Sequence, residues 1–277
     1  MPTRNRGTEH GLKDLAGRAG VVTGAASGIG FALARRLSAE GVRLVLADNN
    51  PDALRTAAET VAATGGPVTT CRVDVSSWPD MQRLAEFAVG QLGPIHLLCN
   101  NAGIECYRGG ALWQAQERDW QRALGVNLYG VIHGLRAFVP GMIASAEEGH
   151  IVNTASTSAM IKAISMYSIT KQALLALTET LAHDIEQLGA NIGVTALCPG
   201  LTATSFFDVA PEGESHGDAA AREERERRRV KMAAQGSSAD DVAEVAVAAI
   251  RRNVFYAVAD RSLDGQIRQR FEQMLAP

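Results

Sequence analysis

Arg18-Ala-Gly-Val-Val-Thr-Gly-Ala-Ala-Ser-Gly-Ile-Gly30, followed at once by Phe31-Ala-Leu-Ala-Arg-Arg-Leu37, decides how the rest of the chain is read. A short apolar run, a glycine-rich turn and an amphipathic stretch predict a strand, a tight loop and a helix ending near Gly41. Gly24, Gly28 and Gly30 follow the spacing G-x-x-x-G-x-G, with Ser27 and Ile29 in the same turn. Glycines let the backbone approach a pyrophosphate, and free N–H groups at a helix start favour its negative charge. Any tight turn accepts glycine, so the weight lies in the position of the pattern between strand and helix.

The next strand, Arg43 to Ala47, ends in Asp48, a carboxylate placed to accept hydrogen bonds from ribose hydroxyls and to repel a 2′-phosphate. No Arg or Lys lies within the glycine turn, and Asn49 and Asn50 follow, so NAD is favoured over NADP. The competing role for Asp48 is to cap the helix that starts near Pro51. A helix over Asp52–Ala63 breaks at Gly65-Gly66-Pro67, and strand Val68–Val73 delivers Asp74 and Val75 toward an adenine edge. A helix over 79–92, capped by Ser77, and a strand Ile95–Cys99 lead to Asn100-Asn101-Ala102-Gly103. This alternation predicts an α/β fold: a parallel sheet covered on both faces, with ligands beyond the carboxyl ends of the strands.

Composition excludes several classes. With 277 residues, 46% hydrophobic and 21% charged, the chain has the makings of a substantial core. A net charge of -3 argues against a general nucleic-acid binder. No apolar run is long enough to span a bilayer, and Met1 to Gly11 lacks the apolar core of a secretion signal, so the expected location is cytoplasmic. Residues 1–15 read as a flexible leader and 16–277 as a single domain. Cys71, Cys99, Cys106 and Cys198 show no metal-ligand spacing and no disulfide framework, so no metal site is expected. Cys71, Cys99 and Cys198 sit in apolar strand-like runs; Cys106 follows a loop that could line a pocket.

Further on, Tyr167-Ser-Ile-Thr-Lys171 would place a phenol and an ammonium on one helix face, one turn apart. The cation favours the phenolate and so suits Tyr167 to proton transfer near neutral pH. Thr23-Gly24-Ala25-Ala26-Ser27-Gly28-Ile29-Gly30, Asp74, Asn101-Ala102-Gly103, Asn127, Ser156, Tyr167 with Lys171, and Pro199-Gly200 occur in that order. In this ordered set, from about Leu15 to Thr204, the chain resembles the short-chain dehydrogenase/reductase family. The resemblance implies a Rossmann-type doubly wound sheet and an NAD(P)-dependent oxidoreductase acting on CH–OH groups. It implies Tyr167 as general acid/base, Ser156 as the group orienting the substrate oxygen, and Lys171 as the ligand of the nicotinamide ribose. Asn127 would hold a water that links Lys171 to solvent. Pro199, Gly200, Leu201 and Thr204 would meet the nicotinamide carboxamide. The segment between Ser156 and Tyr167 is shorter than usual for the family. Counting back from Tyr167 therefore selects Thr154, and Thr157 and Ser158 are further hydroxyls within reach.

After Thr204 the chain changes character. Residues 205–238, with Phe206, Phe207 and the charged run Arg222–Arg229, read as a substrate lid carrying a solvated helix face. A helix follows from Ser238, a last strand near Phe255, and a tail in which Leu263, Ile267, Phe271 and Leu275 recur every four residues. Ile104, Cys106, Tyr107, Met160, Met166, Phe206 and Phe207 are the candidate pocket residues, with Arg108 and Lys162 as possible carboxylate ligands. This largely apolar set predicts a secondary alcohol or ketone on a hydrophobic skeleton. The alternatives are an NADPH-dependent carbonyl or acyl-thioester reductase and, from another class, a non-catalytic nucleotide sensor. The family resemblance also implies a homodimer or homotetramer.

Overall fold

The computed structural model describes residues 12–106, 110–207 and 219–276. Its first half alternates strand and helix: β1 (Ala19–Thr23), α1 (Gly28–Ala39), β2 (Arg43–Asp48), α2 (Pro51–Ala62), β3 (Val68–Arg72), α3 (Trp78–Leu92) and β4 (Leu97–Asn100). Helices α4 (Glu117–Leu124) and α5 (Gly130–Ser145) precede β5 (Gly149–Thr154), α6 (Met166–Leu188) and β6 (Ile192–Cys198). Then come β7 (Thr202–Ala203), α7 (Ala219–Gln235), β8 (Ser237–Ser238), α8 (Ala239–Arg252), β9 (Tyr256–Val258) and α9 (Asp264–Leu275). Seven strands form one sheet in the order β3-β2-β1-β4-β5-β6-β9, with every pairing parallel. β7 and β8 make a separate small pair.

Period-two alternation of side chains builds the two layers. Val22, Leu44, Leu46, Leu97, Cys99 and Val152 point to one face, where α1, α2 and α8 cover them. Val21, Val45, Leu98, Ile151 and Val194 point to the other, under α3, α5 and α6. Both faces are thus dry, which is why these strands read as nearly continuous apolar runs. Leu12 and Leu15, within the stretch expected to be a flexible leader, are buried in the first of these layers.

Helix ends follow local chemistry. Ser77 accepts from the Asp80 N–H at the start of α3, and Ser165 accepts from the Ser168 N–H at the start of α6. Ser238 and Asp241 form a reciprocal capping box on α8. α6 stops at Gly189, whose φ of 62° is the left-handed conformation that glycine adopts freely.

Two expectations are corrected. The run His150 to Ser156 matches the family's strand pattern with Ser156 at its end, but β5 ends at Thr154, where the Ala155 N–H turns back to the Asn153 carbonyl (3.0 Å), so Ser156 lies two residues beyond the strand. In α7 the charged run is held by Glu224 with Arg227 and Arg228 and by Glu226 with Arg229. Arg225 departs from that solvated face and reaches Glu105 (3.8 Å), with both side chains largely out of solvent. Of the apolar stripe in the tail, Leu263, just before α9, and Ile267 are half-buried, while Phe271 and Leu275 are 56% and 85% exposed.

Candidate active site

Strand order reverses between β1 and β4, and the carboxyl ends of these two strands frame the glycine turn. Gly24 has φ +64°, and a Cβ there would sit 2.8 Å from the Ala102 Cα. A Cβ on Gly30 would lie 2.1 Å from the Gly24 carbonyl and 2.4 Å from Asn101 Nδ2. The turn is therefore pressed against the Asn101-Ala102 segment, and only hydrogen fits at both positions. Asn101 Nδ2 donates to the carbonyls of Thr23 (3.2 Å) and Gly24 (3.3 Å), and the Thr154 hydroxyl donates to Asn101 Oδ1 (3.2 Å). One side chain thus ties the ends of three neighbouring strands.

Ser27 precedes α1 without a side-chain hydrogen bond into the helix, so it leaves the first-turn N–H groups of Gly28, Ile29 and Gly30 to a ligand. Asp48 sits at the lip of this turn: Oδ2 accepts from the Ala26 N–H (3.1 Å) and Oδ1 from the Asn50 N–H (3.0 Å). Asn50, not Asp48, caps α2 through the Ala53 N–H (3.1 Å). Asp74 Oδ1 accepts from both the N–H and the hydroxyl of Ser76, and the carbonyl of the buried Val75 lies 3.0 Å from His133 Nδ1. A dinucleotide fits this cradle: the turn admits no Cβ at Gly24 or Gly30, the helix start offers donors, and a carboxylate stands at the end of β2.

Tyr167 and Lys171 occupy one face of α6. Lys171 is 3% exposed and its Nζ donates to the Thr154 carbonyl (2.7 Å), 5.6 Å from the centroid of the Tyr167 ring. Burial lowers its pKa from 10.5 to about 8, against a smaller upward pull from the neighbouring Cys106 and Cys198 thiols. The half-buried Tyr167 ring meets Phe206 edge-on, with centroids 5.6 Å apart. Asn127 is fully buried on a π-helical turn, Gly125–Tyr129, between α4 and α5. Its Oδ1 accepts from the Ile104 N–H (2.8 Å), while Nδ2 faces the Ile104 carbonyl, Cys106 Sγ and Thr170 Oγ1 at 3.1, 3.3 and 3.2 Å. A Cβ on Gly103 would lie 3.5 Å from Asn127 Oδ1 and 3.6 Å from Lys171 Nζ, so both groups front the same small space.

The competing hydroxyls separate by position. Thr154 is engaged with Asn101 through its hydroxyl and with Lys171 through its carbonyl. Ser156 Oγ accepts from both the N–H (3.1 Å) and the hydroxyl (2.9 Å) of Ser158, and the buried Thr157 donates its N–H to the Pro199 carbonyl (2.9 Å). Gly200 backs onto Asp260, where a Cβ would meet Oδ2 at 2.2 Å, and the Leu201 carbonyl accepts from the Ser237 N–H (2.9 Å). Thr204 packs its methyl against Gly28 and accepts from the Phe206 N–H (3.4 Å), which brings the segment after β6 over the glycine turn.

Among the pocket candidates, Cys106 and Met166 are buried together with Ala123, and Tyr167, Trp120 and Ala115 pack on them. Met160 packs instead with Ala155, Cys198 and Leu175. Ile104 is half-buried and Lys162 exposed. Tyr107, Arg108 and the side chain of Phe207 lie outside the described residues. A cavity of about 280 Å³ opens beside α6, lined by Leu112, Ile164, Met166 and Ile169 and by Glu224 and Arg228 of α7. It lies on the 166/169 face of α6, one step round from Tyr167 and Lys171. Sequence reading missed the buried Glu105, Thr170 under Asn127, and Arg72. Register pairs Arg72 with Asp48, and its Nε lies 3.4 Å from the Asn49 carbonyl.

Among the described residues no helix is long and apolar enough to cross a membrane. Residues 18–215 match the short chain dehydrogenase family. The chain is 33% identical to a 1-deoxy-11-beta-hydroxypentalenate dehydrogenase from Streptomyces exfoliatus over 261 residues, 93% of this chain and 88% of the relative. It is 40% identical to the Streptomyces avermitilis protein of that name over 186 residues, 66% of this chain and 68% of the relative. A short-chain dehydrogenase/reductase from Burkholderia phymatum, solved in complex with NAD, superposes with a TM-score of 0.87 at 36% identity, covering 94% of this chain and 95% of that one. A metagenomic short-chain oxidoreductase solved with NADP superposes at 0.69 with 26% identity, covering 88% of this chain and 96% of that one. With the motifs in order and the sheet assembled as they require, the chain belongs to the short-chain dehydrogenase/reductase family and is an NAD(P)-dependent oxidoreductase acting on CH–OH groups.

Proposed function

We propose that the protein interconverts a secondary alcohol and a ketone on a largely apolar small molecule, with NAD as its redox partner. The observation that carries this reading is Tyr167 on one helix face with the buried Lys171, beside apolar side chains from Cys106, Met166 and Phe206. Bound NAD supplies the acceptor or donor of hydride. In the oxidising direction Tyr167 takes the hydroxyl proton of the substrate, and in the reducing direction it returns a proton to the carbonyl oxygen. Ser156 accepts two hydrogen bonds from Ser158, so its own proton is left to donate to that oxygen. Lys171 holds positive charge next to the phenol and binds the nicotinamide ribose. Asn127, fixed by the Ile104 backbone, holds the water through which the proton leaves. The pyrophosphate would lie on Gly24, Ser27, Gly28, Ile29 and Gly30, the adenine against Asp74 and Val75, and the nicotinamide between Asn101-Ala102-Gly103 and Pro199, Gly200, Leu201 and Thr204. Phe206 and α7 would form the lid over the substrate.

Asp48 supports NAD, since its carboxylate would accept from both ribose hydroxyls and repel a 2′-phosphate. Arg72 favours a second reading, an NADPH-dependent carbonyl or acyl-thioester reductase, because it sets an exposed cation beside Asn49. The deciding experiment measures affinity for each cofactor separately and turnover of apolar alcohols and ketones by nicotinamide absorbance. Wild type should prefer NAD, and Asp48→Ser should weaken NAD roughly ten- to a hundredfold, the value of hydrogen bonds to a charged acceptor. A wild-type preference for NADPH would overturn the role of Asp48. NAD binding with no turnover of any alcohol or ketone would overturn the proposed reaction.

A further inference from the structure

Ser156 opens a short 3-10 turn, Thr157–Ala159, and the chain then runs through Met160 and Ile161 to the start of α6. Within the turn the Ser156 and Thr157 carbonyls accept from the Ala159 (2.9 Å) and Met160 (3.0 Å) N–H groups, whereas those of Ala159 and Ile161 are left to partners outside the segment. The near end of the turn is held by Pro199 and Ser158. The far end is held from the other end of the chain: Arg270 Nη1 donates to the carbonyls of both Ala159 (3.2 Å) and Ile161 (2.6 Å). Gln172 Nε2 adds a third bond, to the Ile161 carbonyl (3.0 Å). A charged donor bridging two carbonyls is among the stronger hydrogen-bonding arrangements available to a loop.

Helix α9, which carries Arg270, buries none of its residues fully, and Phe271, Met274 and Leu275 face solvent. A tail that only completed the core would be held by its apolar stripe. Here the Arg270 guanidinium hydrogen-bonds the body of the protein, and it does so on the loop that carries Ser156 and Met160. We infer that Arg270 is a positioning residue. It fixes residues 157–161 from outside the sheet, and through them the Ser156 hydroxyl and the Met160 side chain. This inference rests on the reading of the cleft as the substrate site, but its first measurement does not.

The test uses the full chain with Arg270→Met, which keeps an unbranched stem and removes the donors, and Arg270→Lys, which returns a charged donor. Hydrogen exchange of the amides of residues 156–164 should quicken about tenfold or more in Arg270→Met and largely recover in Arg270→Lys, as expected for loss of one charge-assisted contact. Exchange in the glycine turn and affinity for NAD should stay within about twofold of wild type. With a turned-over alcohol in hand, KM should rise about tenfold in Arg270→Met, and Arg270→Lys should restore most of it. Unchanged exchange at residues 156–164 in Arg270→Met overturns the inference, as does an equal loosening of the glycine turn. If exchange responds as expected while wild type turns over no alcohol or ketone, the proposed reaction fails and the positioning role stands.

Discussion

Tyr167→Phe should lower kcat by about 10³-fold or more, within or beyond the usual contribution of a positioned proton donor, while cofactor affinity stays within about twofold of wild type. The substitution removes one oxygen and almost no volume. The ring would still meet Phe206 edge-on and still pack on Cys106 and Met166, so the cleft keeps its shape. Lys171 would keep its bond to the Thr154 carbonyl, because that bond does not pass through the phenol. What disappears is the only group on that face of α6 proposed to accept the substrate proton as hydride leaves carbon. In the proposed reading the cofactor binds mainly through the glycine turn, Asp48 and the Asn101 segment, which the loss of one phenolic oxygen leaves in place. Steady-state rates on an accepted alcohol, with cofactor affinity from calorimetry, separate the two effects. A variant that keeps more than a tenth of the wild-type kcat would refute the role given to Tyr167.

How much of this site could be read from the sequence depends on whether local chemistry or long-range packing placed each group. The glycine turn was legible because a strand, three glycines and an amphipathic helix are adjacent, and the close approach of Gly24 and Gly30 to Asn101 follows from that order. Asp48 was legible as the end of β2. Its partner in register, Arg72, was not, since pairing of β2 with β3 brings together residues 24 positions apart with no local signal. Asn127 was found by its motif, but its clamp on Ile104 and Cys106 depends on a π-helical turn that the sequence around Gly125 does not announce. The family's strand pattern over His150 to Ser156 puts Ser156 at a strand end. The strand stops at Thr154 through a backbone bond that alternation cannot reveal. Glu105 with Arg225, and Arg270 with Ala159 and Ile161, join segments more than a hundred residues apart. In each case a charged side chain that composition assigns to solvent is drawn inward by a partner supplied by the fold.

Lys171→Met should lose activity by about 10²-fold or more and weaken cofactor binding about tenfold, since in the proposed mechanism one ammonium serves both the phenol and the ribose. It should also change how stability depends on pH, and the sign can be worked out. Burial sets the folded pKa of Lys171 at about 8, below its ordinary 10.5. Below about pH 8 the folded and unfolded chains both carry the proton, and the folded state bears the full cost of a desolvated cation. Between about 8 and 10.5 the folded chain has released the proton while the unfolded chain keeps it, so unfolding binds a proton and stability rises with pH. Above 10.5 both are neutral and the contribution is flat. The rise is at most about 3 kcal/mol for a shift of this size. Urea unfolding of wild type and Lys171→Met without cofactor, from pH 7 to 11, isolates this residue in the difference between the two curves. That difference should climb between pH 8 and 10.5 in favour of wild type; parallel curves would mean that the ammonium is solvated in the folded chain. An ammonium poised in this way still carries most of its charge at neutral pH, where the phenol needs it, yet it is costly enough to the fold that packing alone does not account for it.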